Sequence, residues 1–286
     1  MIPFWKIHGL GNDFIVMDAT QGGLLVEAGH AKQMCDRYMG IGADGVLTVL
    51  PSESGDYRMH IYNADGSQPE MCGNGIRCFV KYLVDHGMVQ GSEVRVETGR
   101  GVLTCKLQLG ADGKVEMVTV NMSPALFDCE EVPMEGRSGT CIEEDLEVDG
   151  LHFCLTAVSM GNPHAVLFEK ADLAMARKRG PMLANHSLFP NKTNVEFTEV
   201  KSRGEIDLVV YERGCGITKA CGTGACAATA AAARIGKVDF DREIRVNLPG
   251  GSLFVQVESD FSAVWMRGPA LEVFRGEFAD LAAWES

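Results

Sequence analysis

The feature that most constrains the fold is an internal duplication. Short strings recur in the same order at offsets of 145 to 150 residues. Gly11-Asn12 returns as Gly161-Asn162, and Tyr62 as Tyr211. Met71-Cys72-Gly73-Asn74-Gly75-Ile76-Arg77-Cys78 aligns with Ala220-Cys221-Gly222-Thr223-Gly224-Ala225-Cys226. Gly87-Met88-Val89 pairs with Gly236-Lys237-Val238, Glu93-Val94-Arg95-Val96 with Glu243-Ile244-Arg245-Val246, and Pro124-Ala125-Leu126 with Pro269-Ala270-Leu271. Ordered matches of this kind imply duplication of one folding unit of about half the chain. Solenoid units run only to roughly 50 residues, so the expectation is two similar lobes related by a pseudo-two-fold axis, with a site between them.

Each half reads as strand-rich. Alternating or β-branched runs at 45–50, 57–62, 94–98, 102–109 and 115–121 end in Gly, Pro, Asp or Ser, as antiparallel strands with short turns do. The second half repeats the pattern at 153–159, 165–168, 206–211, 244–247, 253–258 and 263–267. Each half has one long helix, starting just after the repeated cysteine. The first, 73–86, carries Ile76, Phe79, Val80, Leu83 and Val84 at helical spacing and stops at Gly87. The second, 222–235, is alanine on every face, which suits a helix wrapped by sheet. The expected fold class is α+β, two lobes that are each a barrel-like sheet around a central helix. The lobes are expected at 1–125 plus 269–286, carrying Cys72, and at 126–268, carrying Cys221. The acidic stretch 127–149, with its Pro, Gly and Ser, reads as a linker or surface insertion, and the tail 272–286 as packing back on the first lobe.

Composition excludes several classes of function. The net charge is −13, and no basic run could track a phosphate backbone, so no nucleic-acid partner is expected. No segment approaches eighteen consecutive apolar residues, and the N-terminus lacks a basic head followed by an apolar stretch, so the expectation is a cytoplasmic protein with no membrane partner. In that setting the 10 cysteines read as reduced thiols rather than a disulfide framework.

The chemistry lies in the duplicated Cys-Gly-x-Gly turns. First-turn amides of a helix lack internal partners and the dipole end is positive, so an anion is stabilised there and a cysteine has its thiolate favoured. Glycines let the anion approach closely. Under a pseudo-two-fold axis, Cys72 and Cys221 would face one another, with a ligand carboxylate between two helix termini and one sulfur on each face of its α-carbon. That arrangement suits removal of an α-proton on one side and its delivery on the other, which is racemisation or epimerisation of an amino acid. The carbanion would be stabilised by preorganised helix termini in a dry cleft. No cofactor is called for, and neither a G-x-x-x-x-G-K-[ST] loop nor an H-E-x-x-H helix is present.

The chain resembles the diaminopimelate epimerase family, which interconverts LL- and meso-diaminopimelate without pyridoxal phosphate in lysine and peptidoglycan precursor synthesis. The resemblance covers nearly the whole chain. It is carried by Lys6-Ile7-His8-Gly9-Leu10-Gly11-Asn12-Asp13-Phe14, Asn63-Ala64-Asp65-Gly66-Ser67, the two cysteine turns, Gly161-Asn162-Pro163-His164 and Tyr211-Glu212-Arg213-Gly214. It implies that Cys72 and Cys221 are the acid and base. It implies also that the amides of Gly73-Asn74 and Gly222-Thr223 hold the reacting carboxylate. Asn63, Asn162, Asn194 and Arg213 would bind the far carboxylate, Glu212 would help receive the second ammonium, and Asn12 and His164 would line the reacting end. It is consistent with a homodimer. A guanidinium at Arg213 suits bidentate carboxylate binding. One departure is Gly45, where some relatives carry Gln.

Other readings differ in testable ways. Cys78 and Cys226, inside the helices at C-x5-C and C-x4-C spacing, read as core rather than zinc ligands, and Cys35, Cys105, Cys129, Cys141, Cys154 and Cys215 as structural. His8 reads as core or supporting; His164 stands between site and turn. A racemase for histidine or proline-like substrates would not need Arg213 among three asparagines, and a proline-racemase-like enzyme would carry His in place of Asn74. A thiol redox or metal-binding protein would be inhibited by reductant or would consume it. A binding module without turnover would tolerate Cys→Ser at either position.

Overall fold

In a computed structural model that describes residues 1–22, 25–69 and 71–279, the chain divides into two compact units. One is Met1–Val120 with the segment from Gly268 onward, and the other is Asn121–Arg267. The order begins β1 (Ile2–Gly9), β2 (Asn12–Asp18), α1 (Ala28–Cys35), β3 (Gly45–Leu50), β4 (Tyr57–Asn63), α2 (Gly73–Asp85), β5 (Glu93–Thr98), β6 (Gly101–Leu109) and β7 (Val115–Asn121). It continues β8 (Glu144–Val148), β9 (Leu151–Ser159), β10 (Pro163–Leu167), α3 (Leu173–Ala184), β11 (Asn194–Ser202), β12 (Glu205–Glu212), β13 (Gly216–Ile217) and α4 (Gly222–Arg234). The last strands are β14 (Ile244–Leu248), β15 (Gly251–Val257), β16 (Val264–Pro269) and β17 (Leu271–Phe278).

The duplication is realised strand by strand. In the first unit β1–β2 is antiparallel, β2–β3 is parallel across α1, β3–β4 is antiparallel, β4–β5 is parallel across α2, and β5–β6–β7 is an antiparallel meander. The second unit repeats this as β9–β10 antiparallel, β10–β11 parallel across α3, β11–β12 antiparallel, β12–β14 parallel across α4, and β14–β15–β16 antiparallel. The opening strand of each series gains one more antiparallel neighbour, β17 on β1 and β8 on β9. The architecture is the expected α+β, two-lobe one.

Each unit is organised around its central helix. In α2, Ile76, Phe79, Val80 and Leu83 are fully buried, each worth roughly 2 kcal/mol of apolar burial, and the helix packs on β1, β2, β3, β4, β5 and β17. Helix α4 meets β9, β10, β11, β12, β14 and β15. Its alanines at 225, 227, 228 and 230–233 are all buried, because strands close in on every face and leave room for a methyl group only.

Several expectations are corrected. Helices α1 and α3 and strands β1, β2 and β11 add to the elements read from sequence; α3 was hidden by Gly180-Pro181, with Pro181 in its last turn. The stretch 127–149 is not a linker. Phe127, Cys129, Val132, Met134, Cys141 and Val148 are buried, most of them in the core of the second unit, and 144–148 is strand β8. Nor are all cysteines free thiols. Cys129 and Cys141 form a disulfide, brought together by bonds from Cys129 N to Gly139 O (2.7 Å) and from Cys141 N to Phe127 O (3.2 Å). Cys154 and Cys215 are exposed rather than packed. The tail does return to the first unit, as β17 on β1; residues 280–286 lie outside the described residues. Among the described residues no helix is long and apolar enough to cross a membrane.

Candidate active site

Cys72 and Cys221 occupy the same position in their respective units. Each is the N-cap of the central helix, with extended backbone (φ −138°, ψ 116° and φ −122°, ψ 110°). Each sulfur accepts the backbone amide three residues on, from Gly75 or Gly224, at 3.3 Å in both cases. The sulfurs thus take the N3 amides, while the N1 and N2 amides, Gly73-Asn74 and Gly222-Thr223, have no carbonyl within the helix to bond. Two backbone donors at a positive helix end are able to receive a carboxylate. The second glycine of each turn is closely approached: a Cβ on Gly75 would lie 3.2 Å from Cys72 Cβ, and one on Gly224 3.1 Å from Glu196 Oε1 and 3.2 Å from Cys221 Sγ, so a methyl group there would push its neighbours aside by a few tenths of an ångström.

In the first unit, Asn12 stands beside the thiol. Its Oδ1 lies 3.9 Å from Cys72 Sγ and accepts from Asn74 Nδ2 at 3.1 Å, while its Nδ2 donates to Asp44 Oδ2 at 2.8 Å. Asp44 is held by Arg37 (2.7 Å), which also reaches Asp13 (2.7 Å), and Asp13 pairs with the buried Lys6 at 2.7 Å. Arg77, fully buried, donates to Gly73 O at 2.9 Å and to Asn74 Oδ1 at 2.8 Å, fixing the turn and adding positive charge behind it. Asn63 is not joined to this group: its Nδ2 donates to Ser67 Oγ at 2.9 Å in the turn after β4. His8 is a supporting residue, accepting from Gly11 N at 3.2 Å. Gly45 has no room for a longer side chain, since a Cβ there would lie 2.6 Å from Tyr62 O.

The second unit brings its residues together more tightly. His164, fully buried, has Nδ1 2.6 Å from Glu196 Oε1 and Nε2 3.0 Å from Asn162 Oδ1. Asn162 Nδ2 lies 3.4 Å from Thr223 Oγ1, which is 3.6 Å from Cys221 Sγ. Asn194 Oδ1 accepts the backbone amide of Arg213 at 3.0 Å, and the Arg213 guanidinium donates to Asn191 O at 3.0 Å. Asn162, Asn191 and Arg213 line one cavity of about 460 Å³, to which Glu131 and Pro133 of the supposed linker also contribute. Glu212 accepts from the Thr218 hydroxyl.

Electrostatics correct one expectation. At Cys221 burial pushes the thiol well above its ordinary value, and Glu212 and Glu196 push the same way, against the Thr223 hydroxyl and the Gly224 amide. Burial thus favours the protonated form of Cys221, the form that can deliver a proton. Cys78 and Cys226 are fully buried core residues, and burial raises the Cys78 thiol as well. Asp44, Arg77, Thr218 and Glu196 were not singled out from sequence; Asp44, two residues after Gly42 in a turn, was the most accessible of them. No group of three or more His, Cys, Asp or Glu side chains among the described residues could hold a metal ion.

The fold is one that racemases and epimerases share. It matches the structures of a probable proline racemase from Agrobacterium radiobacter K84 (TM-score 0.73, 16% identity, 98% of this chain and 93% of that one) and a hydroxyproline epimerase from Agrobacterium vitis (TM-score 0.71, 16% identity, 96% and 90%). In sequence, the model of the family described as "Diaminopimelate epimerase" matches residues 4–127 and 156–273. Proteins of that name from Moorella thermoacetica and Desulforudis audaxviator are each 46% identical, over 277 and 280 residues, covering 96% and 97% of this chain and 98% and 99% of theirs. One from Leptospira biflexa is 44% identical over 278 residues, covering 96% and 98%. The chain is an isomerase, and it belongs to the diaminopimelate epimerase family.

Proposed function

We propose that this protein epimerises LL-diaminopimelate to meso-diaminopimelate by two-base proton transfer between its own thiols, in lysine and peptidoglycan precursor synthesis. The observation that carries the reading is the matched N-capping of Cys72 and Cys221, each sulfur 3.3 Å from the third amide of a central helix. The amides of Gly73-Asn74 and Gly222-Thr223 hold the carboxylate of the reacting centre, with one sulfur on each face of the α-carbon. One thiolate removes the α-proton, the helix termini stabilise the carbanion, and the opposite thiol supplies a proton to the other face. Each cysteine is base in one direction and acid in the other. Asn12 and His164 flank the reacting end; Asn63, Asn162, Asn194 and Arg213 receive the far carboxylate, and Glu212 helps receive the second ammonium. The reading includes a cytoplasmic location, as the sequence suggests, and a homodimer, as the resemblance implies.

Arg213 separates this substrate from smaller amino acids. Formation of the meso isomer would be followed under reducing conditions with no pyridoxal phosphate or metal added, in the native chain and in Arg213→Ala. Loss of one charge-assisted pair corresponds to a fall in kcat/KM of about tenfold to a hundredfold. Native turnover of a monocarboxylate at a rate equal to diaminopimelate, or an Arg213→Ala variant that treats diaminopimelate as the native chain does, would move the substrate elsewhere.

A further inference from the structure

The buried carboxyl of Glu196 has no place in the reaction just described. It sits on β11 with no solvent exposure, one oxygen on His164 Nδ1 at 2.6 Å and the other, Oε2, buried with no hydrogen-bond partner among the described residues. An ionised carboxylate with one bare oxygen is costly in such a site, and burial raises Glu196 above the usual carboxylate range.

The next contacts fix where protons stand. His164 Nε2 faces the carbonyl oxygen of Asn162 at 3.0 Å, so Nε2 must carry hydrogen and donate. One further proton lies between Nδ1 and Glu196 Oε1, whichever atom carries it, so the pair as a whole is neutral and the repulsion that a lone Glu196 carboxylate exerts on Cys221 is compensated by His164. With its carbonyl committed to His164, Asn162 turns its amide to Thr223 Oγ1 at 3.4 Å. The Thr223 oxygen then accepts from Asn162, and its own hydrogen is free to point at Cys221 Sγ, 3.6 Å away.

We propose that Glu196 is a positioning residue for the Cys221 thiol: paired with His164, it sets the direction of a hydrogen-bond chain through Asn162 and Thr223 that ends with the Thr223 hydroxyl donating to the sulfur. A sulfur that receives this donor together with the Gly224 amide is stabilised as thiolate when Cys221 must act as base, offsetting part of the cost of its burial. Running the other way, the chain would need an ionised Glu196, an Asn162 amide aimed at His164, and Cys221 donating to Thr223. The titratable groups that act on Cys221 are Glu212 on β12 and Glu196 on β11, the latter paired with His164 on β10. The inference rests on the reading of Cys221 as a reacting thiol.

The test is the rate of iodoacetamide alkylation of Cys221 in the full, substrate-free chain, followed by peptide mass against pH. Glu196→Met should slow alkylation about tenfold at a fixed pH near 8, the loss of one hydrogen bond to a charged acceptor. Glu196→Gln, whose amide can donate to Nδ1 and keep the direction, should stay within about twofold of native. Thr223→Val, which removes the last donor with little change of shape, should match Glu196→Met, and the double variant should be no slower than either, since both break one chain. Faster alkylation in Glu196→Met would show a carboxylate that merely repels the thiolate, and would overturn the proposal. An unchanged rate in Thr223→Val would do the same, even if Glu196→Met failed to fold. Because alkylation needs no turnover, a chain that shows this pattern yet does not epimerise diaminopimelate would refute the proposed function and leave this inference standing.

Discussion

Asn12 donates its side-chain amide to Asp44 Oδ2 at 2.8 Å, which turns its carbonyl oxygen toward α2, where it accepts from Asn74 and lies 3.9 Å from the Cys72 sulfur. Asp44 therefore orients the residue that stands beside the Cys72 thiol. Asp44→Ala removes the acceptor and frees Asn12 to rotate. Its kcat/KM for LL-diaminopimelate is expected to fall about tenfold or more, as small misplacements at a reacting centre do. Steady-state kinetics with a thermal melt checks this, and a loss of activity matched by gross unfolding would argue against an orienting role.

Asp13 gives the first unit an acid-sensitive element. Burial opposes its ionisation, but hydrogen bonds from Arg37 and Lys6 prevail and hold its carboxyl far below the usual range. A depressed carboxyl stabilises the fold fully above its unfolded value, about 4, and that contribution is lost as pH falls toward the folded value. Asp13→Asn should lower the melting temperature by several degrees at neutral pH and flatten its dependence on pH below about 4. Melting curves from about pH 3 to 7 that run parallel for the two proteins would contradict this.

The two glycines that follow the thiols by three residues differ in what they protect. A methyl group on Gly224 meets the Glu196 carboxylate oxygen at 3.1 Å and the Cys221 sulfur at 3.2 Å, whereas on Gly75 it meets Cys72 Cβ at 3.2 Å and the sulfur at 3.5 Å. Gly224→Ala crowds the Cys221 sulfur and the Glu196 carboxyl oxygen from two sides and should cost the larger share of kcat. Comparing the two variants' rates of meso-diaminopimelate formation decides it, and equal losses would count against the crowding argument.

The sequence revealed the parts of this fold that are locally determined. A Cys-Gly-x-Gly turn opening a helix constrains four consecutive residues, so it is readable in both copies and puts Cys72 and Cys221 at helix N-termini, as the structure has them. The alanines of α4 advertise a helix enclosed on every side. Helix α3 was not legible, because Gly180-Pro181 breaks its pattern; Gly180 is demanded by the Tyr211 ring, which a Cβ would approach to 2.6 Å. The stretch 127–149 looked like solvent-facing chain because its charges outnumber its apolar residues. Yet Phe127, Cys129, Val132 and Met134 turn inward, and the disulfide to Cys141 holds them. Glu196 could not be found from sequence at all, since only the parallel pairing of β10 with β11 brings it to His164, 32 residues earlier in the chain.

The central claim is that Cys72 and Cys221 serve opposite faces of one α-carbon. The most direct test is solvent deuterium incorporation from D2O during turnover of each isomer, under reducing conditions, in the native chain and in Cys72→Ala and Cys221→Ala. The account predicts deuterium at one centre only of the product in the native chain, and interconversion reduced by several orders of magnitude in both variants. Either variant retaining interconversion near the native rate would contradict the two-thiol mechanism, and native turnover without solvent deuterium in the product would contradict proton exchange at the thiols altogether.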